Sequence, residues 1–297
     1  MPGPMVELNG KLYLFPQDQT NLRWNTADTA GDAACAYHDL WCYDPVNNGW
    51  SPCAPLPQSM TYVSAAADGD SLMVCATNDD GVSLLRYHPA SDTWEPLTPA
   101  SKLPENASLV RMNEEILVVG GDNTGSVPSN ALSVRQWDSD QVTLVALPKD
   151  SACPTEKLQL LAMDNTLYLA PDNVEFFSES GSQTPCLCKI EFTDGAILTD
   201  LTGTLPAGTT TFAMTALGDK LTLVGVNQVA DSVTDIPQSA DCWQLTETGF
   251  TAFGRQASRA PLHYPSAAVC GNRLYVTGSC AWESGRMRLR STVLSSQ

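Results

Sequence analysis

The chain has 297 residues, 43% hydrophobic and only 16% charged, with 20 glycines and 20 prolines; this suits an all-β protein with many turns, and no apolar run approaches the ~18 residues of a membrane-spanning helix. Its 33 acidic against 16 basic residues leave a formal net charge of −17, which argues against nucleic acid as a partner because phosphates need a basic surface. The same field would speed encounter with a basic protein or peptide, and would equally serve ordinary solubility.

The opening residues Met1-Pro2-Gly3-Pro4-Met5 lack the basic residues and apolar stretch of a secretory signal. From there a short phrase returns six times: a turn of Asn, Gly or Asp, then a strand. It reads Asn9-Gly10-Lys11-Leu12-Tyr13-Leu14, Asp68-Gly69-Asp70-Ser71-Leu72-Met73-Val74 and Asn113-Glu114-Glu115-Ile116-Leu117-Val118-Val119. It continues as Asp164-Asn165-Thr166-Leu167-Tyr168-Leu169, Gly218-Asp219-Lys220-Leu221-Thr222-Leu223 and Gly271-Asn272-Arg273-Leu274-Tyr275-Val276. The first apolar residues stand at 12, 72, 116, 167, 221 and 274, giving steps of 60, 44, 51, 54 and 53. A period near fifty residues marks a repeat architecture.

A second phrase follows each first one. Leu40-Trp41-Cys42-Tyr43-Asp44-Pro45 and Leu84-Leu85-Arg86-Tyr87-His88-Pro89 each have a tryptophan seven residues past the tyrosine, at Trp50 and Trp94. Later copies are degraded to Ser133-Val134-Arg135-Gln136-Trp137-Asp138, Leu187-Cys188-Lys189-Ile190-Glu191-Phe192 and Cys242-Trp243-Gln244-Leu245. Apolar and polar residues alternate and break at Asp, Pro, Gly or Asn, which predicts antiparallel hairpins. Pro55-Leu56-Pro57, Leu103-Pro104, Leu147-Pro148, Leu205-Pro206 and Pro261-Leu262 punctuate the units, proline removing a ladder donor at a sheet edge.

These residues resemble the kelch repeat: a turn, a strand ending in two glycines, a Tyr-Asp-Pro strand, and a tryptophan seven residues on. The resemblance covers nearly the whole chain, although only the third copy keeps the paired glycines, as Gly120-Gly121. It implies an all-β, six-bladed kelch-type β-propeller of antiparallel sheets, one domain over 1–297 with blades near 1–57, 58–101, 102–149, 150–204, 205–257 and 258–297. Val6-Glu7-Leu8 aligns with an innermost strand and the last unit stops after its third strand, so a fourth strand for blade six is missing. A three-stranded last blade, a strand from a partner and a longer parent chain all fit that pattern.

None of the ten cysteines forms a Cys-x-x-Cys pair. Cys186 and Cys188 share one face of a strand, without the second ligand pair of a zinc finger. They read as reduced, mostly buried cysteines of a cytoplasmic protein, with a local disulfide among Cys35, Cys42 and Cys53 open in an oxidising compartment. No metal or cofactor is expected. The triplet Asn106-Ala107-Ser108 matches a glycosylation sequon, which matters only on secretion.

The family resemblance places partner contacts on one face, in loops between second and third strands and in loops entering each blade. The former are expected at 16–36, 76–83, 122–131, 171–186, 226–240 and 279–286. They carry Arg23 and Trp24, Phe176 and Phe177, Trp282 and Arg286, residue types that anchor interfaces. Seven residues before five of the turns stand Tyr62, Asn106, Lys157, Thr211 and Tyr264. The arginine usual near this position in BTB–kelch adaptors is absent at all five, leaving Tyr62, Asn106 and Tyr264 as rim candidates, with packing on the neighbouring blade the alternative for both tyrosines. Trp50 and Trp94, by their repeat position, are read as packing between blades.

Some kelch-type propellers are copper oxidases or sugar isomerases. The former need two histidines and two tyrosines on the axis. Of three histidines, His38 and His88 fall on third strands and His263 on an entry loop, without close spacing. Asp122, Asp172, Asp231 and Glu283 are loop acids that nothing singles out as a catalytic pair. No nucleophile elbow, phosphate loop or zincin motif occurs. The expected function is therefore a non-catalytic protein–protein interaction module, extending to substrate recognition for a ubiquitin-ligase adaptor; the alternatives are a carbohydrate-binding or sugar-isomerising propeller and a scaffold within a larger assembly.

Overall fold

The structure, a computed structural model, describes residues 3–18, 36–121, 131–148, 153–172, 185–193, 195–227, 239–257, 263–283 and 286–290. Among them the regular elements are β-strands and one short 3-10 turn at Thr202–Thr204. No helix there is long and apolar enough to cross a membrane.

The six turn phrases become six two-residue hairpin loops. Their flanking pairs are Leu8↔Lys11, Asp68↔Ser71, Met112↔Glu115, Met163↔Thr166, Leu217↔Lys220 and Cys270↔Arg273. The first loop residue is left-handed in each: Asn9, Gly69, Asn113, Asp164, Gly218 and Gly271 have φ of 52, 58, 58, 50, 64 and 61°. That backbone twist matches the twist of the strands and admits Asn, Asp and Gly most cheaply.

Each hairpin starts an antiparallel sheet, five of them with four strands, inner to outer. Blade one contains Met5–Leu8, Lys11–Leu14, Leu40–Asp44 and Gly49–Cys53. Blade two contains Tyr62–Asp68, Ser71–Asn78, Gly81–His88 and Thr93–Leu97. Blade three contains Ser108–Met112, Glu115–Gly120, Ala131–Gln136 and Thr143–Ala146. Blade four contains Leu158–Met163, Thr166–Pro171, Cys188–Phe192 and Ala196–Asp200. Blade five contains Thr209–Leu217, Lys220–Asn227, Ser239–Thr246 and Gly249–Ala257. The remaining sheet has three strands, His263–Cys270, Arg273–Glu283 and Arg286–Arg290.

The expectation of a six-bladed propeller is therefore corrected to five four-stranded blades and, among the described residues, a three-stranded wedge in place of the sixth, whose missing fourth strand the sequence indicates. Met5–Leu8 already serves as the innermost strand of blade one, so it does not cover the outer edge of the wedge.

Apolar residues from neighbouring sheets meet between them. Phe15, Tyr37, Val63 and Leu72 pack between blades one and two; Met73, Leu84, Leu109 and Val118 between two and three. Val119, Leu132, Leu167 and Ile190 fill the next gap, and Leu187, Phe212 and Leu223 the one after. Val224 and Cys242 meet Leu274 and Val276, and finally Met5, Leu12 and Tyr43 meet Ala268, Cys270 and Tyr275. These contacts run around a closed ring, each gap removing apolar surface from water.

Blades one and two keep the Tyr–Trp device in matching form. Tyr43 packs on Trp50 as a tilted pair with centroids 5.1 Å apart, and Tyr87 on Trp94 likewise at 5.0 Å. Tyr43 Oη donates to Asn48 at 2.6 Å, and Tyr87 Oη to Asp92 at 2.7 Å. Trp94 Nε1 also donates to Ala54 O of blade one at 3.0 Å, so this tryptophan joins two blades. Among the paired-glycine positions, Gly121 explains itself. A Cβ there would lie 2.9 Å from Thr155 Cβ at the entry to blade four, and Gly121 N–H donates to Thr155 O.

Candidate functional site

The inner strands surround a central cavity of about 140 Å³, to which every blade and the wedge contribute, among them Met5, Tyr62, Leu109, Gln159, Met214 and Ser266. A polar lattice ties these strands together. Ser64 Oγ accepts the N–H of Leu109 at 2.9 Å, and Ser108 Oγ accepts that of Leu158 at 2.9 Å. Gln159 Nε2 donates to Phe212 O and to Pro171 O, both at 2.9 Å. A polar side chain at one repeat position thus reaches across to the next blade three times running.

Tyr62 belongs to this lattice. It is 1% exposed, and its hydroxyl shares a 2.7 Å hydrogen bond with Ser108 Oγ. Burial, followed by the nearby Asp172 charge, pushes its pKa well above the ordinary phenol value. Of the two roles read for Tyr62, rim contact and packing on the neighbouring blade, its burial and its bond to blade three fit the second, at a position lining the cavity. Asp172 also lines it, and among the described residues no second carboxylate does.

Asn106 lies outside its strand with φ 51°, as does Lys157 with φ 51°. These two positions link the entry loops. Lys157 N–H donates to Asn106 O at 3.0 Å, and Asp172 N–H to Lys157 O at 2.8 Å. Asn106 Nδ2 donates to Glu156 at 2.8 Å, while Asn106 N–H reaches back to Thr77 Oγ1 at 3.3 Å. Asn106 thus sits on a hydrogen-bonded rim spanning blades two to four, with exposed Glu105 and Glu156 beside it.

The loops from second to third strands differ in kind. The segment expected at 76–83 is mostly strand, because Asn78 pairs with Gly81 and only Asp79 and Asp80 turn. Above blade one, Gln17–Asp18 pairs with Ala36–Tyr37 as a small ribbon. The wedge prolongs its hairpin to Glu283↔Arg286 and Trp282↔Met287, so Trp282 and Arg286 stand near the tip of a β-arm. Tyr264 falls in the irregular register between His263 and Ser266. Arg23, Trp24, Phe176 and Phe177 lie outside the described residues, as do Asp122 and Asp231. His38 and His88, flanked by Asp39 and Glu95 at 3.3 and 3.0 Å, are surface residues of blades one and two.

One cluster was missed by sequence reasoning. Cys153, Cys186 and Cys188 bring their sulfurs within 4.8 Å of one another, all three buried in the core between blades three and four. Hydrogen bonds from Cys153 and then Cys188 hold Cys186 well below the usual thiol range.

No family model matches the chain. A stretch of 83 residues is 31% identical to Kelch-like protein 35 of Mus musculus, covering 27% of this chain and 14% of that protein. A stretch of 124 residues is 29% identical to Kelch-like protein 30 of Homo sapiens, covering 39% of this chain and 21% of that protein. The matched stretches therefore span about a fifth or less of these relatives' own length. The solved structure of YjhT superposes with a TM-score of 0.63 over 99% of this chain and 95% of its own, at 13% identity; at that identity the likeness concerns the fold alone.

Proposed function

Because this chain is a divergent kelch-repeat β-propeller, we propose that it is a non-catalytic protein-interaction module that presents a protein or peptide site on the face bearing the entry loops and the loops between second and third strands. The observation that carries this reading is the size and lining of the centre. A cavity of about 140 Å³ is well below the ~300–1,000 Å³ of small-molecule pockets, and its described lining offers one carboxylate, Asp172, without a second for paired acid–base work. Recognition then falls to the outer face, with Asn106, Tyr264, Trp282 and Arg286 as candidate contacts there; Arg23, Trp24 and Phe176, outside the described residues, remain candidates from the sequence alone. The fold by itself fixes no partner.

The net charge of −17 supports a basic partner met by electrostatic steering in the cytoplasm. The finer form of the proposal is substrate recognition within a ubiquitin-ligase adaptor. An affinity capture from a source-matched lysate at low and high salt, beside the Trp24→Ala/Trp282→Ala variant, tests it. A partner retained by the parent, lost from the variant and weakened by salt supports the module. No retained protein, together with a melting shift on a glycan panel, would replace it with the sugar-binding reading.

A further inference from the structure

The structure assigns a second site, independent of the loop face: we propose that Cys153, Cys186 and Cys188 bind a soft, thiophilic metal ion through three thiolate sulfurs. The three come from two places in blade four. Cys153 stands on the entry to the innermost strand, and Cys186 and Cys188 stand at the start of the third strand, so the ligand set straddles the sheet and exists only in the folded chain.

The geometry suits metal rather than disulfide. Sulfurs bound to one ion at about 2.3 Å stand roughly 3.8–4.0 Å apart in tetrahedral or trigonal arrangements. Cys186 and Cys188 are separated by 3.8 Å, and all three sulfurs lie within 4.8 Å, so a small inward movement of Cys153 completes the set. A disulfide would need the sulfurs at about 2.05 Å.

The pair is held in place before any ion arrives. Leu187, between the two cysteines, has both backbone groups engaged with the outer edge of the blade: its N–H donates to Thr202 Oγ1 at 3.2 Å, and its carbonyl accepts from Leu201 N–H at 2.8 Å. On one side of the sulfurs lie Leu147, Leu158, Leu169 and Ile190 of the interblade core. Apolar walls and sulfur donors disfavour hard, oxygen-seeking ions such as Mg²⁺ and Ca²⁺ and favour Cu(I), Zn²⁺ and Cd²⁺. Among the described residues the group has three members and no fourth histidine, cysteine or carboxylate, which fits a three-coordinate ion.

The protein, reduced and freed of metal, is titrated separately with Zn²⁺, Cd²⁺ and Cu(I), following sulfur-to-metal charge-transfer absorption and the bound metal after desalting. One equivalent of at least one ion is expected, with Mg²⁺ in large excess not competing. Each single Cys→Ser variant should weaken binding by at least the roughly 10–100-fold that loss of an outer-shell partner costs. No stoichiometric binding of any of the three ions, or binding unchanged in the Cys153→Ser/Cys186→Ser/Cys188→Ser variant, overturns the site. Where a variant loses its fold, the parent's melting temperature decides: one equivalent of the binding ion must raise it and Mg²⁺ must not, and no shift with any of the three ions overturns the site.

Discussion

Asp92, in the last turn of blade two, accepts the backbone N–H of Ala54 in blade one at 2.6 Å. Trp94 Nε1 takes the carbonyl of the same alanine at 3.0 Å, so one residue of blade one is gripped at both its peptide groups by blade two. The Ala54 N–H, followed by the Tyr87 hydroxyl, lowers the pKa of the Asp92 carboxyl below its usual value. The folded protein thus binds this proton less tightly than the unfolded chain. The contribution is complete above the unfolded value of about 3.9 and fades as the pH falls through the lowered folded value. Asp92→Asn should reduce the urea midpoint at neutral pH and flatten its decline in acid. An acid limb identical to the parent's would show that Asp92 does not carry it.

Tyr62→Phe removes the hydroxyl that meets Ser108 in the cavity, while Ser108 still accepts from Leu158. A loss of about 0.5–1.5 kcal/mol in unfolding free energy is expected, with partner capture unchanged. Lost capture at full stability would return Tyr62 to the binding surface.

Gly121→Ala places a methyl group 2.9 Å from Thr155 Cβ, forcing the entry of blade four outward. Overpacking of this sort costs about 1–3 kcal/mol, readable by thermal or chemical denaturation. Thr155→Gly on the same background should recover part of it, since the closest clashes are with the Thr155 Cβ and Oγ1 that glycine lacks.

Cysteine labelling should be graded. Cys42 is half-buried, and a hydrogen bond from Cys53 lowers it to about 7, whereas burial pushes Cys75 up to about 12. Brief alkylation near neutral pH followed by peptide mass spectrometry should label Cys42 ahead of Cys75, whose reaction waits on unfolding. Equal rates would refute the ordering.

The fold was legible because each unit opens on a turn whose left-handed residue must be Asn, Asp or Gly, so the period survives even where the glycine pair and tryptophan are lost. Counting back seven residues from the turns was less faithful. It set Tyr62 level with Asn106, but the innermost strand of blade two runs Tyr62–Asp68 and that of blade three only Ser108–Met112. The same count therefore lands inside one strand and outside the other. The sulfur cluster was half visible. Alternation along a strand puts Cys186 and Cys188 on one side, but Cys153 joins them only through the packing of an entry segment more than thirty residues upstream.

The ring has a seam. Met5–Leu8 hydrogen-bonds within blade one and His263–Cys270 within the wedge, so the beginning and end of the circle are held by Met5, Leu12 and Tyr43 against Ala268, Cys270 and Tyr275, side chain to side chain. Among the described residues no strand is threaded through that joint. These contacts link residues more than two hundred positions apart, pairings of the long sequence separation that slows folding.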